Sequence, residues 1–130
     1  MPPMIQSSSM AEIDLASVSR YWAGVKSSIL GPYMMDGFGF PVSAGNYRFK
    51  AESQIVQRLL SNVVRSGTVL DLGSGVGYWA EQFAKEFSKV IAVEGSGVLY
   101  QALAKRRTPY TNLTTVNGNA LSFEPVGDVV

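Results

Sequence analysis

Three groups of residues in this sequence could hold a small molecule: a run of alternating glycines, an acid just before it, and an acid well after it. The run is Asp71-Leu72-Gly73-Ser74-Gly75-Val76-Gly77. Thr68-Val69-Leu70-Asp71-Leu72 leads into it, short and nearly all apolar, as expected of a parallel strand buried on both faces. Tyr78 to Phe87 follows with helical apolar spacing. Glycines at 73, 75 and 77 let the backbone approach a ligand and take positive φ, and the amides at the helix start are expected to face that ligand. A dinucleotide turn reads G-x-G-x-x-G and would need glycine at position 78, which is Tyr78; the spacing here is G-x-G-x-G. Asp71 would repel a diphosphate and suits the ammonium of an amino-acid-like ligand, although an Asp at this position can also simply cap the turn. Glu94 closes a second strand, Val90 to Glu94, where its carboxylate can accept from both hydroxyls of a ribose; alone, such a strand-end Glu would be only solvated.

Val69 to Gly77, then Val93-Glu94-Gly95-Ser96, then Gly118-Asn119-Ala120 resemble the first three motifs of class I S-adenosylmethionine-dependent methyltransferases. The likeness covers Thr68 to Val130. It implies a Rossmann-like fold and S-adenosylmethionine as cofactor, with S-adenosylhomocysteine as product. Asp71 and the backbone of Gly73, Ser74, Gly75 and Gly77 would hold the methionine part, and Tyr78 would lie nearby. Glu94 would take the ribose, with Gly95 and Ser96 along the adenine. Asn119 stands where the family commonly has Asp; its amide can accept from the adenine amino group and donate to a ring nitrogen, or it is a plain turn residue. Ala120 and Leu121 would offer backbone and apolar contact. In the segment before the first strand, Tyr21, Trp22, Tyr33, Tyr47 and Arg48 are candidates to cover a sulfonium or pair with a carboxylate, or are packing residues. Trp79 is expected in the core.

These residues need a scaffold. Residues 1–10 read as a loose terminus, 11–66 as a helical cap and 67–130 as the cofactor-binding half-domain. Within the cap, one or two short helices are expected from Ala11 to Leu30, an irregular loop from Tyr33 to Tyr47, and a helix from Lys50 to Val64 with Ile55, Val56, Leu59, Leu60 and Val63 on one face. Gly97 to Arg107 gives a further helix, with Lys105, Arg106 and Arg107 complementing its dipole. Leu113 to Asn117 gives a third strand, and Gly127 to Val130 opens a fourth. This alternation predicts an α/β fold, a truncated parallel sheet in the order 3-2-1-4 with helices on both faces and an N-terminal helical cap.

Absence of Cys and His excludes disulfides, thiolate nucleophiles and His-based acid–base chemistry within these residues. No metal site is expected, and the catalytic residues stay unknown, since Glu52, Glu81, Glu86 and Glu124 read as solvated faces. No apolar run has the length of a membrane helix, and no signal peptide is legible, so a cytoplasmic protein is expected. The net charge of +1 offers no electrostatic reason for nucleic acid. An open apolar edge on the first strand leads to the expectation of self-association, such as a dimer, or of a longer parent protein. The functional expectation is thus the cofactor-binding portion of a methyltransferase with an unidentified acceptor. The competing reading is a non-catalytic cofactor-binding or interaction module needing a partner to complete the fold; a nicotinamide-dependent oxidoreductase is disfavoured by Tyr78 and Asp71.

Overall fold

The computed structural model describes residues 14–26, 30 and 41–124. The first helix, α1 (Leu15–Ala23), starts where Asp14 caps it: one carboxylate oxygen accepts from the backbone N–H of Ala16 and of Ser17, at 3.1 and 3.2 Å. The Ser17 hydroxyl donates to the other oxygen, and this bond first, with the backbone bonds beside it, stabilises the charged form and holds the Asp14 carboxyl below its usual range. Gly24 closes the helix, within the segment where the sequence pattern predicts one.

The second helix corrects the sequence reading. α2 spans Val42–Leu59, so Val42 to Tyr47, expected as loop, is helical. Pro41 explains the early start. Its φ of −66° is already that of a helix, and its missing N–H would have been unpaired at a helix start in any case. Gly45 is tolerated in the first turns at a modest cost. Only one flank of α2 packs: Val56, Leu60 and Val63 are half-buried, while Ile55 is 57% exposed and Leu59 74% exposed. Leu60 and Val63 lie beyond the last helical residue, so the expected single apolar face divides between a helix and the turn after it.

From Thr68 onward the elements follow the expected alternation: β1 (Thr68–Leu72), α3 (Tyr78–Glu86), β2 (Lys89–Glu94), α4 (Gly97–Arg107) and β3 (Leu113–Asn117). Both strand pairs are parallel, with Asp71 beside Ala92 and Glu94 beside Asn117. The order is β1-β2-β3, the 3-2-1 arrangement that right-handed crossovers require. The expected fourth strand at Gly127 to Val130 and the candidate Tyr33 lie outside the described residues.

One packed layer fixes the strand ends. Val90, Ala92 and Leu113 from the sheet meet Ala80, Ala84 and Phe87 from α3 and its end, and Leu103 from α4. Gly77 makes the close approach possible. Its φ is +90°, and a Cβ there would sit 2.5 Å from the Leu103 side chain. Arg106 pairs with Glu81 at 3.4 Å, tying α4 to α3. Asn112 donates to the carbonyls of Ala84 and Phe87, both at 2.8 Å, and so satisfies the end of α3. α2 lies beside α3 through Phe49, whose ring centroid is 4.5 Å from that of Tyr78. Trp79, expected in the core, is half-buried in a line of rings with Phe49, Tyr78 and Phe83.

Candidate functional site

Glu94 ends the central strand, and the chain folds around its carboxylate. The Gly75 N–H donates to Oε2 at 2.8 Å and the Ser96 N–H donates to Oε1 at 2.9 Å. Glu94 is 8% exposed. A buried carboxylate is tolerated when its oxygens accept such charge-assisted bonds, and with about four lone-pair sites it keeps capacity for further donors. The glycine turn wraps this acid. Gly73, Gly75 and Gly77 all have positive φ, which lets the backbone reverse tightly enough for Gly75 to reach Glu94.

Most of the other amides of the turn bond within the protein. The N–H groups of Gly73 and Ser74 both donate to the carbonyl of Val93, at 2.9 and 3.0 Å, and that of Gly77 donates to Ser74. The first two join the turn to β2, and the third closes the turn on itself.

A cavity of about 670 Å³ opens above Glu94, in the usual range for small-molecule sites. Of the residues expected at the site, Gly73, Glu94, Gly95, Ser96, Asn119 and Ala120 line it. Asp71, Ser74, Gly75, Gly77 and Tyr78 do not. Gly75 is buried beneath the Glu94 carboxylate, Gly77 faces Leu103, and Tyr78 packs on Phe49 with its hydroxyl 3.5 Å from that of Ser53. The Ser74 hydroxyl donates to the Asp71 carbonyl at 2.8 Å. Asp71 lies under the turn, half-buried, and its Oδ2 has no hydrogen-bond partner among the described residues. Burial pushes its carboxyl above the ordinary 3.8, the Ser74 hydroxyl opposes this, and the nearby Glu94 charge adds to it.

Two site residues do more than expected. Ser96 caps α4, accepting from the Leu99 N–H at 3.4 Å, and its hydroxyl donates to the Trp22 carbonyl at 2.9 Å. Asn119 Oδ1 accepts from the Leu121 N–H at 2.9 Å, forming the turn that shapes the rim. Among the cap candidates, Trp22 lines the cavity, and with it come Leu15, Val18, Ser19 and Ala23 from α1. Those four were missed, since their spacing says only that α1 is amphipathic. Arg48 instead pairs with Glu52 at 2.7 Å on an exposed face of α2, and Tyr21 and Tyr47 are exposed. Glu86 pairs with Arg65 at 3.5 Å, and Glu81, half-buried between Lys85 and Arg106, is a tie between helices where a solvated face was expected. Among the described residues there is no cluster of metal-ligating side chains and no helix long and apolar enough to cross a membrane.

Solved structures share this fold. A DhpI complex with S-adenosylhomocysteine matches with a TM-score of 0.59 and 21% identity, over 85% of this chain and 47% of that one. A dimethyladenosine transferase from Plasmodium falciparum matches with a TM-score of 0.50 and 24% identity, over 58% of this chain and 29% of that one. The fold and motifs are those of class I S-adenosylmethionine-dependent methyltransferases. Over residues 48–130 the chain matches the family described as ribosomal RNA adenine dimethylase, and it belongs to that family. A ribosomal RNA small subunit methyltransferase A from Bacillus cytotoxicus is 31% identical over 87 residues, 65% of this chain and 30% of that protein. Its counterpart from Bacillus pumilus is 32% identical over 96 residues, 72% of this chain and 32% of that protein.

The chain thus spans about 30% of the length of these curated relatives. Both relatives and the family are named for ribosomal RNA, which overturns the reading that nothing points to nucleic acid. Net charge misled because it sums over the chain, whereas RNA is read largely through shape, stacking and base edges.

Proposed function

We propose that this chain binds S-adenosylmethionine in the cavity above Glu94 and forms the cofactor-holding part of an enzyme that methylates adenine in ribosomal RNA. The observation that carries it is the Glu94 carboxylate, buried, held by the Gly75 and Ser96 amides, and opening onto a cavity of fitting size. An oxygen pair fixed this way is preorganised to accept the two hydroxyls of a ribose. Asn119 and Ala120 at the rim supply polar and apolar contact for a base. Asp71, with an unpartnered buried oxygen beneath the glycine turn, does not line the cavity and would favour a cationic amino group through its charge alone. S-adenosylmethionine supplies a methyl group made electrophilic by its sulfonium. What these residues contribute is alignment and exclusion of water, the larger part of what an in-line displacement needs. No described side chain is assigned to proton removal.

In domain terms, residues 67–130 would be the cofactor half and 11–66 a cap. The test is methyl transfer from labelled S-adenosylmethionine to small-subunit ribosomal RNA. Label recovered in methylated adenine supports the whole reading. Tight cofactor binding with no transfer supports the cofactor assignment alone. Label in protein or in another base contradicts the assigned substrate.

A further inference from the structure

α1 has no reason to sit where it does if it merely packs onto the sheet. It carries no buried residue, and two of its apolar side chains stay open, Leu15 at 57% and Val18 at 44% exposure. Yet Leu15, Val18, Ser19, Trp22 and Ala23 form one wall of the cavity, with Ala120 and Leu121 also lining it. The helix is held in place at its C-terminal end. The Ser96 hydroxyl donates to the Trp22 carbonyl, and just past Gly24 the side chain of Val25 is buried. Its N-terminal end is fixed by its own cap at Asp14. An apolar helix face left partly solvated over a cavity is stabilised by a flat apolar ligand that removes it from water, at roughly 25 cal/mol for each Å² covered.

We propose that α1 is the base-contacting wall of the cofactor site, with Leu15, Val18 and Trp22 covering the purine and the Ser96–Trp22 bond acting as its latch. This rests on the cofactor reading above and adds to it a residue set that none of the sequence motifs contains. Glu94 fixes the ribose on the floor, so the attached base must lie toward the rim. There the base meets Gly95, Ser96 and Leu99 on one side and residues 117–121 on another, and α1 is the remaining wall. The adenine half of the ligand therefore depends on α1, and the amino-acid half does not.

The probes are adenosine and S-adenosylhomocysteine, titrated by calorimetry into the parent chain and its variants. Val18→Asp places a charge on the purine wall at a half-open position that folding does not need. It should weaken adenosine and S-adenosylhomocysteine by the same factor, about tenfold or more, because a desolvated carboxylate faces an apolar ring. Trp79→Phe leaves Trp22 as the sole tryptophan of the chain, and its emission should change on adding either ligand. Unchanged affinities in Val18→Asp together with silent Trp22 emission, while Glu94→Ala still weakens binding, would overturn the role of α1 and leave the cofactor site standing. If the parent chain binds neither probe, the cofactor reading itself falls, and this inference with it.

Discussion

The two paired strands of the first crossover, β1 and β2, have similar composition and very different surroundings. β2 has neighbours on both sides; Val90, Ala92 and Val93 are fully buried and its last residue, Glu94, is the floor of the cavity. β1 pairs only with β2 among the described residues, none of its residues is buried, and Leu72 is 49% exposed. The site hangs on the strand that is locked. The glycine turn, although it follows β1, spends its amides on Val93 and Glu94 of β2. A motif that reads along the sequence as the exit of one strand works as a clasp on the next one.

The largest effect is expected where the two regions meet. Gly77→Ala forces a left-handed residue and drives its Cβ into Leu103, and it should cost about 3 kcal/mol or more in urea unfolding. Leu103→Ala, in the fully buried layer under β2, should cost about 2–5 kcal/mol. The matched change on the open side, Ile55→Ala, should stay within roughly 0.5 kcal/mol. An equally large loss at Ile55 would mean that α2 is covered in solution and that the contrast between the regions is false.

How far the sequence shows these regions follows from the same contrast. β1, α4 and β3 have the bounds that pattern alone predicts, because apolar runs and the Gly97–Arg107 stretch agree with their surroundings. α2 began earlier than its pattern suggested, since Gly45 and Pro41 read locally as breakers while Pro41 in fact starts the helix. Glu94 was legible from its position at a strand end. The direction of the turn's amides was not, because it depends on which carbonyls the neighbouring strand presents. The α1 wall was invisible for a similar reason: amphipathic spacing does not say whether a face meets a sheet or a cavity. Ser96 and Asn112 act through backbone groups distant in sequence, and no local pattern marks them.

A smaller effect concerns Asp71, whose carboxyl burial holds above 3.8. Its folded form keeps a proton that the unfolded chain has already lost. Stability should therefore fall as pH rises from about 3.8 through the raised folded value, and be regained on acidification through the same window. Asp71→Asn should flatten that segment of the stability curve while weakening a cationic ligand. A variant that keeps the slope would show that the effect resides elsewhere. The smallest effect is expected for Arg48→Ala, which breaks an exposed ion pair on α2 and should change stability by less than about 0.5 kcal/mol. It should leave cofactor affinity untouched, and a marked loss would bring α2 into the site.

The central claim is that the carboxylate clasped by Gly75 and Ser96 holds the ribose of an S-adenosyl ligand. Calorimetric titration of S-adenosylhomocysteine into the parent chain and into Glu94→Ala, with NAD as the control ligand, tests it most directly. The expected result is one-to-one binding to the parent, a loss of about 1–3 kcal/mol in the variant, and no binding of NAD. Binding of NAD in place of S-adenosylhomocysteine, or identical affinity in Glu94→Ala, would contradict it.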